Sequence, residues 1–259
     1  MIGEDAGPYA GVAADLAGTP FAAIAFVAET GSTNADAAAF LGDDRYAGRT
    51  LVAEHQNRGT GRKGRAWHAA PGTALLFTTI LPRATAAEAL WVVPFWVALA
   101  VRTALHECGV PTLLQWPNDV MLEDRKIAGV LCQSRVTGAT AYVACGVGIN
   151  VHRTPEASRI APAPAFCDDM ARFDRGLLLR AILMQYDRSL FMLEEPDLVI
   201  DRWNEAAQLP GRRYRLQLDG SPEVFEAAAQ GLADGGGLRV LRDDGGAATI
   251  ALADARALR

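Results

Sequence analysis

The sequence predicts an α+β protein, a mixed or largely antiparallel sheet with packed helices followed by a small C-terminal β-barrel. Three observations predict it. Strand-like runs and helical periods interleave irregularly over residues 21–208, rather than alternating strictly as βαβ units do. At Leu209-Pro210-Gly211 the chain changes to short strands separated by Gly/Asp turns, a small β-domain spanning 209–259. Half of the 259 residues are hydrophobic and 21% charged, which suffices for one large core and one small domain packed on it.

Residues 1–20, rich in Ala, Gly and Pro, read as a short, partly ordered lead-in. They are too few for a helix-turn-helix domain. Phe21 to Ala28 is a strand, and Ser32 or Thr33 caps a short alanine-rich helix over 34–41. Strands over 50–54 and 73–80 bracket a basic loop. Ala86 to Cys108 has helical periodicity and stops at Gly109. Thr112 to Trp116 is a strand ended by Pro117. Strands over 126–135 and 141–151 pair across Thr137-Gly138. Residues 161–165 form a Pro/Ala-rich loop. Helices over 175–194 and 196–207 divide at Pro196. Short strands at 213–218, 223–229, 238–242 and 247–252 complete the chain.

Bulk chemistry excludes several functions. The net charge of −5 argues against a dedicated nucleic-acid binder, so no DNA partner is expected. Four cysteines without a C-x-x-C pair fit buried, reduced thiols in the cytoplasm. Four scattered histidines lack metal-ligand spacing. The N-terminus has no basic start and apolar core of a signal peptide. The apolar stretch Ala89 to Val101 is interrupted by Pro94 and is too short to span a bilayer, so no membrane partner is expected.

The chemistry concentrates at strand ends. In Gln56-Asn57-Arg58-Gly59-Thr60-Gly61-Arg62-Lys63-Gly64-Arg65-Ala66-Trp67, four cations alternate with three glycines. Guanidinium groups bond oxyanions in pairs, and glycine lets backbone approach a ligand closely, so the loop suits a nucleotide phosphate. It is neither a Walker loop nor a dinucleotide fingerprint. A solvated basic surface loop explains the same composition about as well. Trp116-Pro117-Asn118-Asp119 is either a plain hairpin corner or an amide and a carboxylate presented to Mg²⁺ or a nucleotide. Lys126 opens an apolar strand three residues before Gly129, where it could neutralise charge on a reacting phosphate. Gly146-Val147-Gly148-Ile149-Asn150 places glycines in a strand, which marks bulges or close approach of a ligand. Together these segments point to one shared cleft.

In order and approximate spacing, the segments resemble the biotin protein ligase family. Ser32-Thr33-Asn34, Gly59 to Trp67, Gln115-Trp116-Pro117-Asn118-Asp119, Lys126-Ile127-Ala128-Gly129 and Gly146-Val147-Gly148-Ile149-Asn150 are collinear with the family's motifs over residues 29–151. The resemblance implies a class II synthetase-like ligase core over 21–208 and an SH3-like C-terminal barrel. It implies a monofunctional ligase, without the repressor members' DNA-binding domain, that joins biotin to a lysine of a biotin carboxyl carrier protein through biotinyl-5′-AMP. The substrates would be biotin and ATP, with Mg²⁺ accompanying ATP. A homodimer is compatible with this reading.

The resemblance also assigns roles. Lys126, Arg62 and Arg65 would be catalytic. Biotin would meet Ser32, Thr33, Asn34, Gln56, Gly59, Thr60, Trp67, Lys126, Gly129 and Gly146. The nucleotide would meet Arg62, Lys63, Arg65, Trp67, Asn118, Asp119, Lys126 and Asn150, with Asp119 a candidate Mg²⁺ ligand. Three positions depart from the family pattern. Thr60 stands for an arginine, Gln115 for a lysine and Gln133 for an acidic residue. Two other readings remain: a lipoate or octanoate ligase, which would want a purely apolar acyl pocket, and a non-catalytic sensor of biotin or its adenylate.

Overall fold

The computed structural model describes residues 5–155, 157, 160–219, 222–252 and 255–258. Its larger part is an eight-stranded sheet. The strands are β1 (Ile24–Thr30), β2 (Thr50–Gln56), β3 (Ala74–Ile80), β4 (Thr85–Ala86), β5 (Thr112–Gln115), β6 (Asp119–Leu122), β7 (Arg125–Thr137) and β8 (Thr140–Asn150). They run in the order β1-β2-β3-β8-β7-β6-β5, with β4 paired to β8. Only β1 and β2 are parallel; the other neighbours are antiparallel. The mixed sheet is the fold class that the irregular pattern of elements predicts.

Strand β3 explains the layering. It lies between β2 and β8 and is buried along its whole length, as its unbroken apolar and threonine composition requires. Leu75 and Phe77 join the main core with residues of α3 (Val93–Glu107), α4 (Arg175–Ser189) and α5 (Pro196–Ala206). Ile80 joins a smaller core beneath α2 (Thr33–Ala38), with Ala25, Ala37, Leu51 and Ala144.

Pro94 falls within the first turn of α3, where its missing N–H costs nothing, and so starts this helix instead of interrupting it. With the preceding 3-10 turn, Ala87–Glu107 is long and apolar enough to cross a bilayer. That corrects the expectation from sequence. Phe95, Trp96, Val97, Val101 and Leu105 spend this apolar character on the core. The helix ends at Glu107, and Gly109, just past the Cys108 cap, has φ +82°.

The N-terminal segment is more ordered than a lead-in. Gly7–Tyr9 form a 3-10 turn, Ala10–Asp15 form α1, and Tyr9, Val12 and Leu16 are buried in the main core. Helix α2 is shorter than the expected 34–41. The expected helix over 175–194 divides into α4 and a 3-10 turn at Leu190–Glu194.

Beyond α5 lies a five-stranded antiparallel sheet of β9 (Arg213–Leu218), β10 (Val224–Leu232), β11 (Leu238–Arg242), β12 (Ala247–Ile250) and β13 (Ala255–Leu258). Its order is β12-β11-β10-β9-β13. Tyr214, Leu216, Leu238 and Val240 share one core cluster with Phe95 and Trp203 of the larger part. Polar bonds fix the join. Trp116 N–H donates to Tyr214 Oη at 3.2 Å, and Trp116 Nε1–H donates to the Gly236 carbonyl at 3.0 Å. Arg212 donates to the Leu114 carbonyl at 2.9 Å.

Trp116 N–H is buried, so losing its acceptor leaves a desolvated donor. Tyr214→Phe is therefore expected to lower the free energy of unfolding by about 1–3 kcal/mol. Urea denaturation of the two proteins measures this, and equal midpoints would show that the bond contributes nothing.

Candidate active site

A cavity of about 730 Å³ is lined by residues of β2, β3, β7, β8, α2 and the basic loop. Its floor is glycine. Gly129 of β7 is the register partner of Gly148 of β8, and Gly146 is opposite Leu131. A Cβ at Gly148 would lie 2.8 Å from Trp67 Cε2, and one at Gly129 would lie 2.8 Å from Lys126 Nζ and 3.3 Å from Trp67 Cζ3. A Cβ at Gly146 would overlap the Asn34 amide. The three glycines thus let an indole, an ammonium and an amide lie directly on the strands.

One end of the cavity is neutral and polar. Ser32, Thr33 and Asn34 are buried at the start of α2. Ser32 occupies the cap position, but neither Ser32 nor Thr33 caps the helix with its own side chain. Gln56 of β2 does so across the sheet, its Oε1 accepting from Thr33 N at 2.7 Å and from Thr33 Oγ1 at 3.0 Å. Thr78 Oγ1 donates to Thr33 Oγ1 at 2.8 Å and lies 3.1 Å from Asn34 Oδ1. Asn34 Nδ2 donates to the Leu131 carbonyl at 2.8 Å. Asn34 is therefore a strut between α2 and the sheet.

The other end is charged. Lys126 Nζ lies 2.5 Å from Asp119 Oδ1 and 5.4 Å from the centre of the Trp67 ring. Asn118 holds the neighbouring corner to β7, donating through Nδ2 to the Val130 carbonyl at 2.6 Å and accepting from Val130 N at 3.1 Å. Asn150 Nδ2 lies 3.4 Å from the Lys126 carbonyl and 3.2 Å from that of Ala165. Arg62 and Arg65 complete this end. Arg62 Nη2 donates to the Leu252 carbonyl at 2.6 Å. Burial pulls the Arg62 pKa below that of a free guanidinium, against the opposing pull of Asp119.

Most of the residues picked out from sequence converge here: Ser32, Thr33, Asn34, Gln56, Thr60, Arg62, Arg65, Trp67, Asn118, Asp119, Lys126, Gly129, Gly146 and Asn150 all line the cavity. Two do not. Lys63 has φ +57° and an ion pair with Asp219 of the small domain, away from the cavity wall. Gly59 acts at one remove. Its carbonyl accepts from Trp67 N at 2.9 Å, and a Cβ there would sit 2.8 Å from the Trp67 carbonyl, so glycine lets the loop's two ends close on each other. Of the three departures, only Thr60 is in the wall.

Sequence reasoning missed the wall formed by Thr154, Ala157, Ile160, Pro162, Pro164 and Phe166. The available signal was the apolar, proline-rich run Ile160-Ala161-Pro162-Ala163-Pro164-Ala165-Phe166. Among the described residues no three His, Cys, Asp or Glu side chains converge to hold a metal, and Asp119 faces Lys126. Trp67 Nε1 is buried against the strand at Gly148 without a hydrogen-bond partner in the protein. The arrangement suits an elongated ligand with a neutral polar head, an apolar body and an anionic tail.

A profile of the biotin/lipoate A/B protein ligase family matches residues 28–150. The chain is 30% identical over 226 residues to the biotin–[acetyl-CoA-carboxylase] ligase of Mycobacterium tuberculosis, covering 82% of this chain and 81% of that one. It is 28% identical over 208 residues to the bifunctional ligase/repressor BirA of Escherichia coli, covering 77% of this chain and 63% of that one. In fold it is similar to the biotin protein ligase of Aquifex aeolicus solved with biotin and ATP. The TM-score is 0.74 at 24% identity, covering 91% of this chain and 98% of the other. The match to the mycobacterial ligase runs through most of both chains, and the family profile spans the cavity's motifs: this chain belongs to the biotin protein ligase family.

Proposed function

We propose that this chain attaches biotin to a lysine of the biotin carboxyl carrier of a carboxylase, using ATP. The observation that carries the proposal is one cavity with a neutral polar end, buried Ser32 and Thr33 with half-buried Gln56, and a cationic end, Lys126, Arg62 and Arg65, above a glycine floor. The hydroxyls and amide match a ureido ring, while Trp67 and Leu76 of β3 offer apolar surface to the thiophane ring and valeryl chain. A lipoyl or octanoyl group has no ureido head, so around it the Ser32 hydroxyl, which has no partner of its own among the described residues, would be buried without one. This favours biotin.

In the first half-reaction a biotin carboxylate oxygen attacks the α-phosphorus of ATP, and pyrophosphate leaves. Lys126, held by Asp119, stabilises charge on the carboxylate and α-phosphate oxygens. Arg62 and Arg65 neutralise the phosphate and help to exclude water from the acyl-adenylate. In the second half-reaction the carrier lysine's amine attacks the acyl carbon. An amide forms, AMP leaves and the amine loses a proton. Magnesium enters with the triphosphate. Four cysteines without a disulfide among the described residues favour action in the reducing cytoplasm.

Mass spectrometry of a biotin carrier domain incubated with the protein, biotin and magnesium ATP tests the reading. The carrier is expected to gain one biotinyl group at a single lysine. No gain, or a gain only when lipoate or octanoate replaces biotin, would contradict it. No gain despite tight biotin binding would identify a sensor.

Lys126→Ala is expected to slow pyrophosphate release by about 10²–10³-fold, as for loss of one preorganised electrostatic donor, with a smaller effect on biotin binding. Release at the parent rate would remove Lys126 from the mechanism.

A further inference from the structure

Outside the motifs that carry the family resemblance, one carboxylate ties the missed wall to the reacting end. Asp169 closes a 3-10 turn, Cys167–Asp169, and its side chain is only 13% exposed. It accepts from Phe166 N at 3.2 Å, pairs with Arg125 Nη1 at 3.1 Å and pairs with Arg153, which follows β8. Arg125 is the residue before Lys126, and its Nη1 also reaches the Pro164 carbonyl at 3.5 Å. The Arg153 guanidinium lies 4.8 Å from the centre of the Phe166 ring, and Phe166 and Pro164 line the cavity. Between them, Ala165 N donates to the Lys126 carbonyl at 2.9 Å.

We propose that Asp169 is a positioning residue: it clasps segment 164–166 onto the strand that carries Lys126 and so shapes the wall beside the nucleotide. This rests on the functional reading above, which puts the nucleotide at the Lys126 end. The physical case is one of count and enclosure. A carboxylate with two guanidinium partners and a backbone donor makes several charge-assisted bonds at once, unlike an isolated surface pair. Burial alone would raise the Asp169 pKa, yet Arg153, the Phe166 N–H and Arg125 hold it below the usual carboxylate range. Nothing in this network touches Ser32, Thr33 or Gln56, so its effect should fall on ATP and spare biotin.

The test is Asp169→Asn in the full chain, which keeps the shape of the side chain and removes its charge. Pyrophosphate release is followed against ATP concentration, biotin binding by calorimetry, and amide exchange over residues 164–169. The KM for ATP is expected to rise about tenfold with biotin affinity within twofold of the parent, and exchange to accelerate only over 164–169. Arg125→Gln and Arg153→Gln should each give part of the effect and add little to Asp169→Asn. If Asp169→Asn does not fold, the two arginine variants decide by the same readings. An unchanged KM for ATP, or a parallel fall in biotin affinity, overturns the proposal. If the parent protein itself releases no pyrophosphate with biotin, the functional reading has failed, and exchange alone judges the clasp. Acceleration confined to 164–169 supports it, and unchanged exchange overturns it.

Discussion

The site depends on side chains that are missing. Gly129, Gly146 and Gly148 lie on two adjacent strands, and the Trp67, Lys126 and Asn34 side chains that line the cavity rest on the backbone these glycines leave bare. An alanine methyl at Gly148 would press on the Trp67 indole, and one at Gly129 on the Lys126 ammonium. Because the sheet is rigid and closely packed, such pressure moves the functional groups and not the strands. Lys126 can then sit within reach of both Asp119 and the Trp67 face, a fixed cation next to a buried indole donor.

The small domain contributes to the same site from behind. Trp116, the first residue of the Trp-Pro-Asn-Asp corner, is fully buried and bonded to Tyr214 and Gly236 of that domain. Asn118 and Asp119 come after it across Pro117 and line the cavity. On the other side, Arg62 and Lys63 reach Leu252 and Asp219. The small domain therefore holds both the corner that pairs with Lys126 and the loop that supplies the arginines. Domain packing and site geometry are one problem in this chain.

Much of this was legible in the sequence. Glycines at Gly129, Gly146 and Gly148 stand out because strands ordinarily avoid them, and the cations of the basic loop stand out against an acidic chain. What stayed hidden depended on three-dimensional context. Lys63 shares the composition of Arg62 and Arg65, but a left-handed backbone turn sends it to Asp219. Ser32 looks like a helix cap, whereas Gln56, distant in sequence, does the capping. The apolar residues that make residues 7–16 part of the core are diluted by alanine and glycine. The Pro/Ala-rich run after Asn150 reads as loop because proline breaks its periodicity, although it walls the cavity.

The central claim is that the glycine floor sets the position of Trp67 and Lys126. The most direct measurement is biotin-dependent pyrophosphate release by Gly148→Ala, with urea unfolding run on the same preparation. Displacing a positioned group by about 1 Å can cost about 10²-fold in rate, so release should fall by about that factor while the unfolding midpoint changes little. Release at the parent rate by a protein of parent stability would show that the floor does not position the chemistry.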